Sequence, residues 1–176
     1  MNPCPCGYYN HPERECTCGQ SNVQRYMNKV SGPLLDRIDL HVEVTPVNYD
    51  DLANDIPKEG STEIRERVVA ARKIQTKRFS KIKEPELEHI NQHIYGSKTH
   101  SNAEMSSKDI REHCQISEDS AVLLKKAMNS LGFSARAYDR ILKVSRTIAD
   151  LDGVKKVESK HIAEAIQYRS LDRDIR

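Results

Sequence analysis

The sequence of 176 residues is long enough for one large domain, or for one domain with a small appendage. Its net charge of +2 is too small to imply a dedicated nucleic-acid surface, and no apolar run reaches the length of a membrane span. Because the N-terminus also lacks the basic and then apolar order of a signal peptide, we expect a cytoplasmic protein. Aromatic residues make up 5% of the chain and Trp is absent, which favours a mainly α-helical fold with an aliphatic core.

The first eighteen residues contain two Cys-x-Cys pairs, formed by Cys4, Cys6, Cys16 and Cys18. In a reducing compartment this pattern indicates a metal rather than disulfides, and four thiolates are typical ligands of structural Zn²⁺. Gly7 and Gly19, one after each pair, are expected to let the backbone turn so that its N–H groups face the sulfurs. The spacing is tighter than the usual C-x2-4-C, so two alternatives stay open: His11 replaces one sulfur, or the thiols are free or oxidised.

A short helix is predicted from 21 to 30, and a Ser-Gly-Pro turn after it directs two leucines inward. Asp36, Arg37 and Asp39 follow, and residues 41–44 alternate like a short β-strand. An arginine braced by carboxylates at a domain edge is suited to a phosphate on a neighbouring molecule, because guanidinium is always charged and forks onto phosphate oxygens. The alternative is an ordinary Arg-Asp ion pair, which is common on protein surfaces.

Beyond a loop predicted at 48–60, an apolar period of 3.6 residues indicates a small helical bundle. The predicted helices run from a cap at Ser61 to about Lys81, over 87–94, from Ser106 or Ser107 to Cys114, from Ser117 to Gly132, from Ser134 to Gly153 and from Ser159 onward. His89 and His93 lie on one face of the second helix without a third ligand, which favours surface histidines over a metal site.

Arg136 falls in the first turn of the helix that follows Ser134, where its charge opposes the helix dipole. Either a nearby carboxylate, such as Asp139, or an outside anion should therefore compensate it.

Four stretches of the sequence resemble, in family order, the magnesium-chelatase-like AAA+ ATPases of the YifB/ComM type. They are Asn2-Pro3-Cys4-Pro5-Cys6-Gly7, Ser31-Gly32-Pro33-Leu34-Leu35-Asp36-Arg37-Ile38-Asp39, Ser134-Ala135-Arg136-Ala137-Tyr138-Asp139-Arg140-Ile141-Leu142 and His161-Ile162-Ala163-Glu164-Ala165-Ile166-Gln167-Tyr168-Arg169.

The resemblance implies roles for three residues in the hydrolysis of ATP with Mg²⁺. Asn2 is similar to the sensor 1 asparagine that polarises the attacking water, and Arg37 to the arginine finger that acts on a neighbouring subunit's ATP. Arg136 is similar to sensor 2, which reaches the phosphates of its own subunit from a helical lid. The resemblance further implies a hexameric ring that remodels DNA, in the manner of a branch-migration helicase.

The sequence also departs from the family pattern. It contains neither a G-x-x-x-x-G-K-[ST] loop nor an acidic strand end that would hold Mg²⁺. We therefore expect the C-terminal portion of such an ATPase, unable to hydrolyse ATP alone. Residues 1–60 are expected to hold a remnant of the α/β core with the zinc segment, and residues 61–176 the helical lid.

Two other functions stay open. One is a self-contained zinc and helical-bundle module that binds DNA or a protein, and the other is the ATPase subunit of a true metal chelatase.

Overall fold

A computed structural model describes residues 2–44, 46–47, 59–80 and 99–169. These residues form seven α-helices and no β-strand, which confirms the predicted mainly α-helical fold. The helices are α1 (Gln20–Met27), α2 (Gly32–Leu35), α3 (Ser61–Phe79), α4 (Ser107–His113), α5 (Glu118–Leu131), α6 (Ala135–Leu151) and α7 (Ser159–Gln167). A 3-10 helix, Asn102–Glu104, precedes α4. None of the helices described is both long and apolar enough to cross a membrane.

The chain divides into two compact units. The first, which we call the cysteine unit, comprises Met1–Lys58 with Tyr168–Arg176, and the second, the helical unit, comprises Glu59–Gln167. The domains predicted from the sequence, 1–60 and 61–176, differ from these units in placing the last residues with the helices.

Serine side chains begin three helices of the helical unit, as predicted. Ser106 and Asp109 form a reciprocal capping box at the start of α4, in which each side chain accepts the other's backbone N–H. Ser117 and Ser134 cap α5 and α6 with one hydrogen bond each, in which the serine side chain accepts the backbone N–H three residues later. Caps of this kind stabilise a helix by about 1 kcal/mol each. Gly132, at φ +62°, ends α5 in the left-handed conformation that glycine adopts without strain.

Helix α3 differs from the prediction at both ends. Gly60, not Ser61, is the residue that precedes it, and its last residue is Phe79. The buried residues of the helix, Ala71, Gln75 and Phe79, all lie in its C-terminal half, whereas Ile64 and Val68 in its N-terminal half are 41% and 46% exposed. The predicted helix at 87–94, with its two histidines, and most of the predicted loop at 48–60 lie outside the described residues.

The predicted β-strand at 41–44 is wrong. In the cysteine unit the backbone N–H of His41 donates to the carbonyl of Tyr168 at 2.7 Å, but the structure assigns no strand to this segment. Val42 and Val44 are 64% and 87% exposed. Alternating apolar residues form a strand only when a neighbouring strand pairs with them and covers one face, and no described residue belongs to such a strand.

One apolar core holds the helical unit together. Helix α6 contributes Ala137, Ile141, Leu142 and Ala149, all nearly inaccessible to solvent. The other buried members of this cluster are Phe79, Met105, Ile110, Cys114, Leu124, Phe133, Val157, Ile162 and Ala165. The apolar period of 3.6 residues is therefore borne out in α6, although Tyr138 and Leu151 on the same helix are 39% and 40% exposed.

A buried charge network centred on Asp150 lies beside this core. The guanidinium of Arg78 donates to both carboxylate oxygens of Asp150, one of them at 2.7 Å, and Arg146 donates to Asp150 at 3.1 Å. Asn102 donates to the same carboxylate at 2.8 Å. Arg146 also donates to the carbonyls of Val154 and Lys155, both at 2.7 Å. The network thus joins the end of α3, the 3-10 helix, α6 and the segment that follows α6.

We predict that Asp150→Ala lowers the free energy of unfolding of the 176-residue chain by about 3–5 kcal/mol, because it leaves two guanidinium groups without their shared carboxylate. Urea unfolding followed by far-UV circular dichroism measures the change. Asp119→Ala, which removes an exposed carboxylate from the first turn of α5, is the control and should cost about 1 kcal/mol or less. Equal effects of the two substitutions would contradict the assignment of this network as a stabilising centre.

Candidate functional site

The sulfur atoms of Cys4, Cys6, Cys16 and Cys18 form a compact cluster in the cysteine unit, all within 4.8 Å of one another. The Sγ–Sγ distances are 3.3 Å between Cys4 and Cys6, 3.7 Å between Cys4 and Cys16 and 3.6 Å between Cys6 and Cys16. Tetrahedral Zn²⁺ with Zn–S bonds of about 2.3 Å requires sulfurs about 3.8 Å apart. The cluster therefore fits a four-thiolate metal site with little adjustment.

The backbone around the first cysteine pair forms a tight turn. Gly7 has φ +82°, and its N–H donates to the carbonyl of Cys4 at 3.1 Å. The turn directs the Tyr8 backbone N–H toward the Cys6 sulfur, and this hydrogen bond lowers the pKa of Cys6 to about 6. Gly19 does not behave as predicted. Its φ of −63° is ordinary for any residue, and it serves instead as the N-cap residue of α1.

In the second cysteine pair the thiol pKa values are raised, in contrast to the lowered pKa of Cys6. A hydrogen bond from the Cys18 backbone lowers the pKa of Cys16, but burial and the Cys6 and Cys4 sulfurs outweigh it, so that the pKa is raised to about 12. A hydrogen bond from the Cys6 backbone likewise lowers the pKa of Cys18, but the nearby sulfurs outweigh it, so that the pKa of Cys18 is also raised. Several thiolates packed this closely repel one another, which is the electrostatic situation that a bound divalent cation relieves.

His11 belongs to the loop between the two pairs rather than to the cluster. Its Nδ1 accepts the backbone N–H groups of Glu13 and Arg14, both at 3.1 Å, and its ring packs edge-on against Tyr8. The alternative in which His11 replaces a sulfur is therefore not the arrangement that the structure favours.

Cys114, the fifth cysteine, is 4% exposed in the core of the helical unit, beside the sulfur of Met105 at 4.0 Å. Burial raises the pKa of its thiol to about 11, so that it remains protonated and unreactive near neutral pH.

Asn2 and Arg37, two of the three residues that the resemblance singles out, lie in the cysteine unit and are exposed. The Asn2 side chain lies beside Gly7, 3.5 Å from the place a β-carbon would take there. Arg37 follows α2 in a turn where its N–H donates to the carbonyl of Leu34 at 3.0 Å. Among the described residues, nothing forms a hydrogen bond or ion pair with its guanidinium.

The carboxylate beside Arg37 has a different partner from the one considered in the sequence. Asp36 lies 3.9 Å from Nη2 of Arg169, which is 1% exposed, and Arg169 also donates from Nη1 to the carbonyl of Ile38 at 2.8 Å. Among the described residues, Asp36 therefore pairs with Arg169 and not with Arg37. The sequence reasoning did not assign a role to Arg169, although the residue closes the last of the four family-like stretches.

Arg136 occupies the first turn of α6 in the helical unit, as predicted, and is exposed. No acidic residue accompanies it in that turn. Within the described ranges the pair with Asp139 is not formed, so no protein carboxylate there compensates the charge that opposes the helix dipole.

Comparison with known proteins identifies the relatives of this chain. Residues 58–169 match the C-terminal family model of magnesium chelatase subunit ChlI, and residues 1–52 match the model of magnesium chelatase subunit ChlI. The chain is 40% identical to competence protein ComM of Haemophilus influenzae and 37% identical to the uncharacterized protein YifB of Escherichia coli, over 98% of its length in both cases. It is 30% identical to the uncharacterized protein Mb2921c of Mycobacterium bovis over 96% of its length.

The chain spans about 30% of the length of each of these relatives. The family models nonetheless cover both of its units almost completely and in the expected order. The chain therefore belongs to the magnesium chelatase ChlI family, as a homologue of ComM and YifB.

Proposed function

We propose that this chain acts as the C-terminal part of a magnesium-chelatase-like AAA+ ATPase, to which it contributes sensor 1, the arginine finger and sensor 2. The observation that carries the proposal is the state of Arg37. Its guanidinium is exposed and lacks a partner among the described residues, while the residues on both sides of it are tied to a buried arginine. An arginine held in this way is available to a ligand without first having to break an ion pair.

Phosphoryl transfer spreads negative charge over the phosphate oxygens in the transition state, and guanidinium groups stabilise that charge. Arg37 would supply its charge to the ATP of a neighbouring subunit, and Arg136 would supply its charge to the ATP of its own subunit. The Asn2 amide would orient the attacking water. These roles need the P-loop and the Mg²⁺ ligands of the complete ATPase, because this chain contains no G-x-x-x-x-G-K-[ST] sequence.

An arginine that acts on a neighbour's nucleotide requires subunits arranged head to tail, and a closed ring is the arrangement that satisfies every site. The family resemblance implies six subunits, so we extend the proposal to a hexamer. The similarity to a protein named for competence supports DNA as the polymer that the ring remodels.

We further propose that Cys4, Cys6, Cys16 and Cys18 bind one Zn²⁺ with a structural role. The sulfur–sulfur distances and the four thiolate ligands support zinc over harder cations, which prefer oxygen ligands. Four thiolates leave no open coordination position, so the ion would stabilise the segment that carries Asn2 rather than take part in hydrolysis.

Metal analysis of the 176-residue chain, purified under reducing conditions, should find about one Zn²⁺ per chain. Cys4→Ala should lose the metal, because Cys4 is a fully buried member of the cluster. Cys114→Ala is the matched control and should keep the metal. A chain without metal, or one in which both variants keep it, would contradict the site.

Arg37→Ala in the complete ATPase should lower the rate of ATP hydrolysis by at least about a hundredfold and leave ATP affinity nearly unchanged, because a finger acts chiefly in the transition state. Steady-state turnover and equilibrium binding of an ATP analogue measure the two effects. Arg25→Ala is the control, since Arg25 is an exposed arginine of the same unit on α1. Turnover of Arg37→Ala equal to that of Arg25→Ala would refute the finger.

A further inference from the structure

Arg169 is buried in the cysteine unit and contacts the turn that contains Arg37. Its Nη1 donates to the carbonyl of Ile38 at 2.8 Å, and its Nη2 lies 3.9 Å from Oδ1 of Asp36. These two residues immediately precede and follow Arg37. The guanidinium of Arg169 therefore contacts the residue before the exposed arginine and the residue after it.

The neighbouring residue adds a second point of attachment. The carbonyl of Tyr168 accepts the backbone N–H of His41 at 2.7 Å, on the C-terminal side of the same turn. Tyr168 and Arg169 follow directly after the last residue of α7 in the chain. We call this pair the C-terminal clamp. It fixes residues 36–41 through contacts between residues that are more than 120 positions apart in the sequence.

We propose that Arg169 is a positioning residue for the arginine finger: it fixes the backbone on both sides of Arg37 so that the Arg37 guanidinium is presented to the neighbouring subunit's nucleotide. The inference rests on the proposed function of Arg37 and adds to it the residue that makes the finger effective.

The burial of Arg169 supports this role. The residue is 1% exposed, and a charged group is removed from water only when its partners compensate the loss of solvation. Its planar fork reaches a carbonyl and a carboxylate at once, which the single ammonium of a lysine cannot reproduce. Arg37, in contrast, has no such compensation among the described residues and projects into solvent.

Positioning of this kind has a measurable kinetic consequence. A catalytic group that is fixed before the substrate arrives does not lose orientational freedom in the transition state, and a displacement of about 1 Å can cost about a hundredfold in rate. Loss of the clamp should therefore lower the rate of hydrolysis and leave ATP binding by the subunit's own site largely intact.

The test compares Arg169→Met, Arg169→Lys, Arg37→Ala and the double variant Arg37→Ala/Arg169→Met in the complete ATPase. We expect Arg169→Met to lower kcat by about tenfold to a hundredfold with nearly unchanged affinity for an ATP analogue. Arg169→Lys should recover part of the loss, because it restores the charge and one hydrogen bond. Arg25→Met, an exposed arginine of the same unit, is the matched control and should keep wild-type turnover.

The double variant separates positioning from a general structural role. If Arg169 acts through Arg37, its substitution has no further effect once Arg37 is absent, so the double variant should turn over as slowly as Arg37→Ala and no more slowly. Independent, multiplicative losses would overturn the proposal, as would wild-type turnover of Arg169→Met.

Loss of folding in Arg169→Met can be distinguished from an incorrect assignment of Arg37 as the arginine finger. If Arg169→Met does not form folded rings, Asp36→Asn takes its place, because it removes the carboxylate contact and keeps the shape of the side chain. It should show a smaller loss that also disappears in the Arg37→Ala background, and a loss that persists there would overturn the proposal. Wild-type turnover of Arg37→Ala would overturn both the finger assignment and this inference. Slow turnover of Arg37→Ala together with wild-type turnover of Arg169→Met would overturn this inference alone.

Discussion

The carboxylate of Asp150 is fully removed from solvent and lies between the guanidinium groups of Arg78 and Arg146. A charge in this position is tolerated only when hydrogen bonds replace its hydration, and here Asn102 completes the set. Arg78 lies 72 residues from Asp150 in sequence, so the contact joins the end of α3 to the end of α6. Helix α6 is the central element of the apolar core, and its other end carries Arg136. Beside the apolar core, this one carboxylate therefore fixes the end of α3 and the 3-10 helix against α6.

The arginines of this protein fall into two groups that differ in their surroundings. Arg78, Arg146 and Arg169 are buried or nearly so, and each donates to a carboxylate or to backbone carbonyls. Arg37 and Arg136 are exposed, and within the described part of the chain neither has a partner. The first group stabilises the interior of each unit separately: Arg78 and Arg146 in the helical unit and Arg169 in the cysteine unit. The second group contributes little to stability, because an exposed charge is already solvated, and its positions match those that the family resemblance assigns to nucleotide binding.

The sequence predicted what depends on local chemistry. Helix starts at Ser106, Ser117 and Ser134 follow from side chains that reach the backbone three residues away, and the cysteine cluster follows from ligands within fifteen residues. Predictions that required distant partners were wrong or were not made: the segment predicted as a strand at 41–44 has no partner strand among the described residues, and Asp36 contacts Arg169 instead of Arg37. The roles proposed for Asn2, Arg37 and Arg136 came from the resemblance, since spacing in the sequence does not distinguish an arginine finger from a surface arginine.

The central claim is that Arg37 and Arg136 serve the same reaction from different subunits. Mixing the complete ATPase carrying Arg37→Ala with the same protein carrying Arg136→Ala tests it most directly. In rings assembled at random from equal amounts, about a quarter of the sites would combine an intact Arg136 with a neighbour's intact Arg37, because each of the two conditions is met half the time. We therefore predict that the mixture regains about a quarter of wild-type turnover although each variant alone is nearly inactive. Turnover of the mixture no higher than the average of the separate variants would contradict the account.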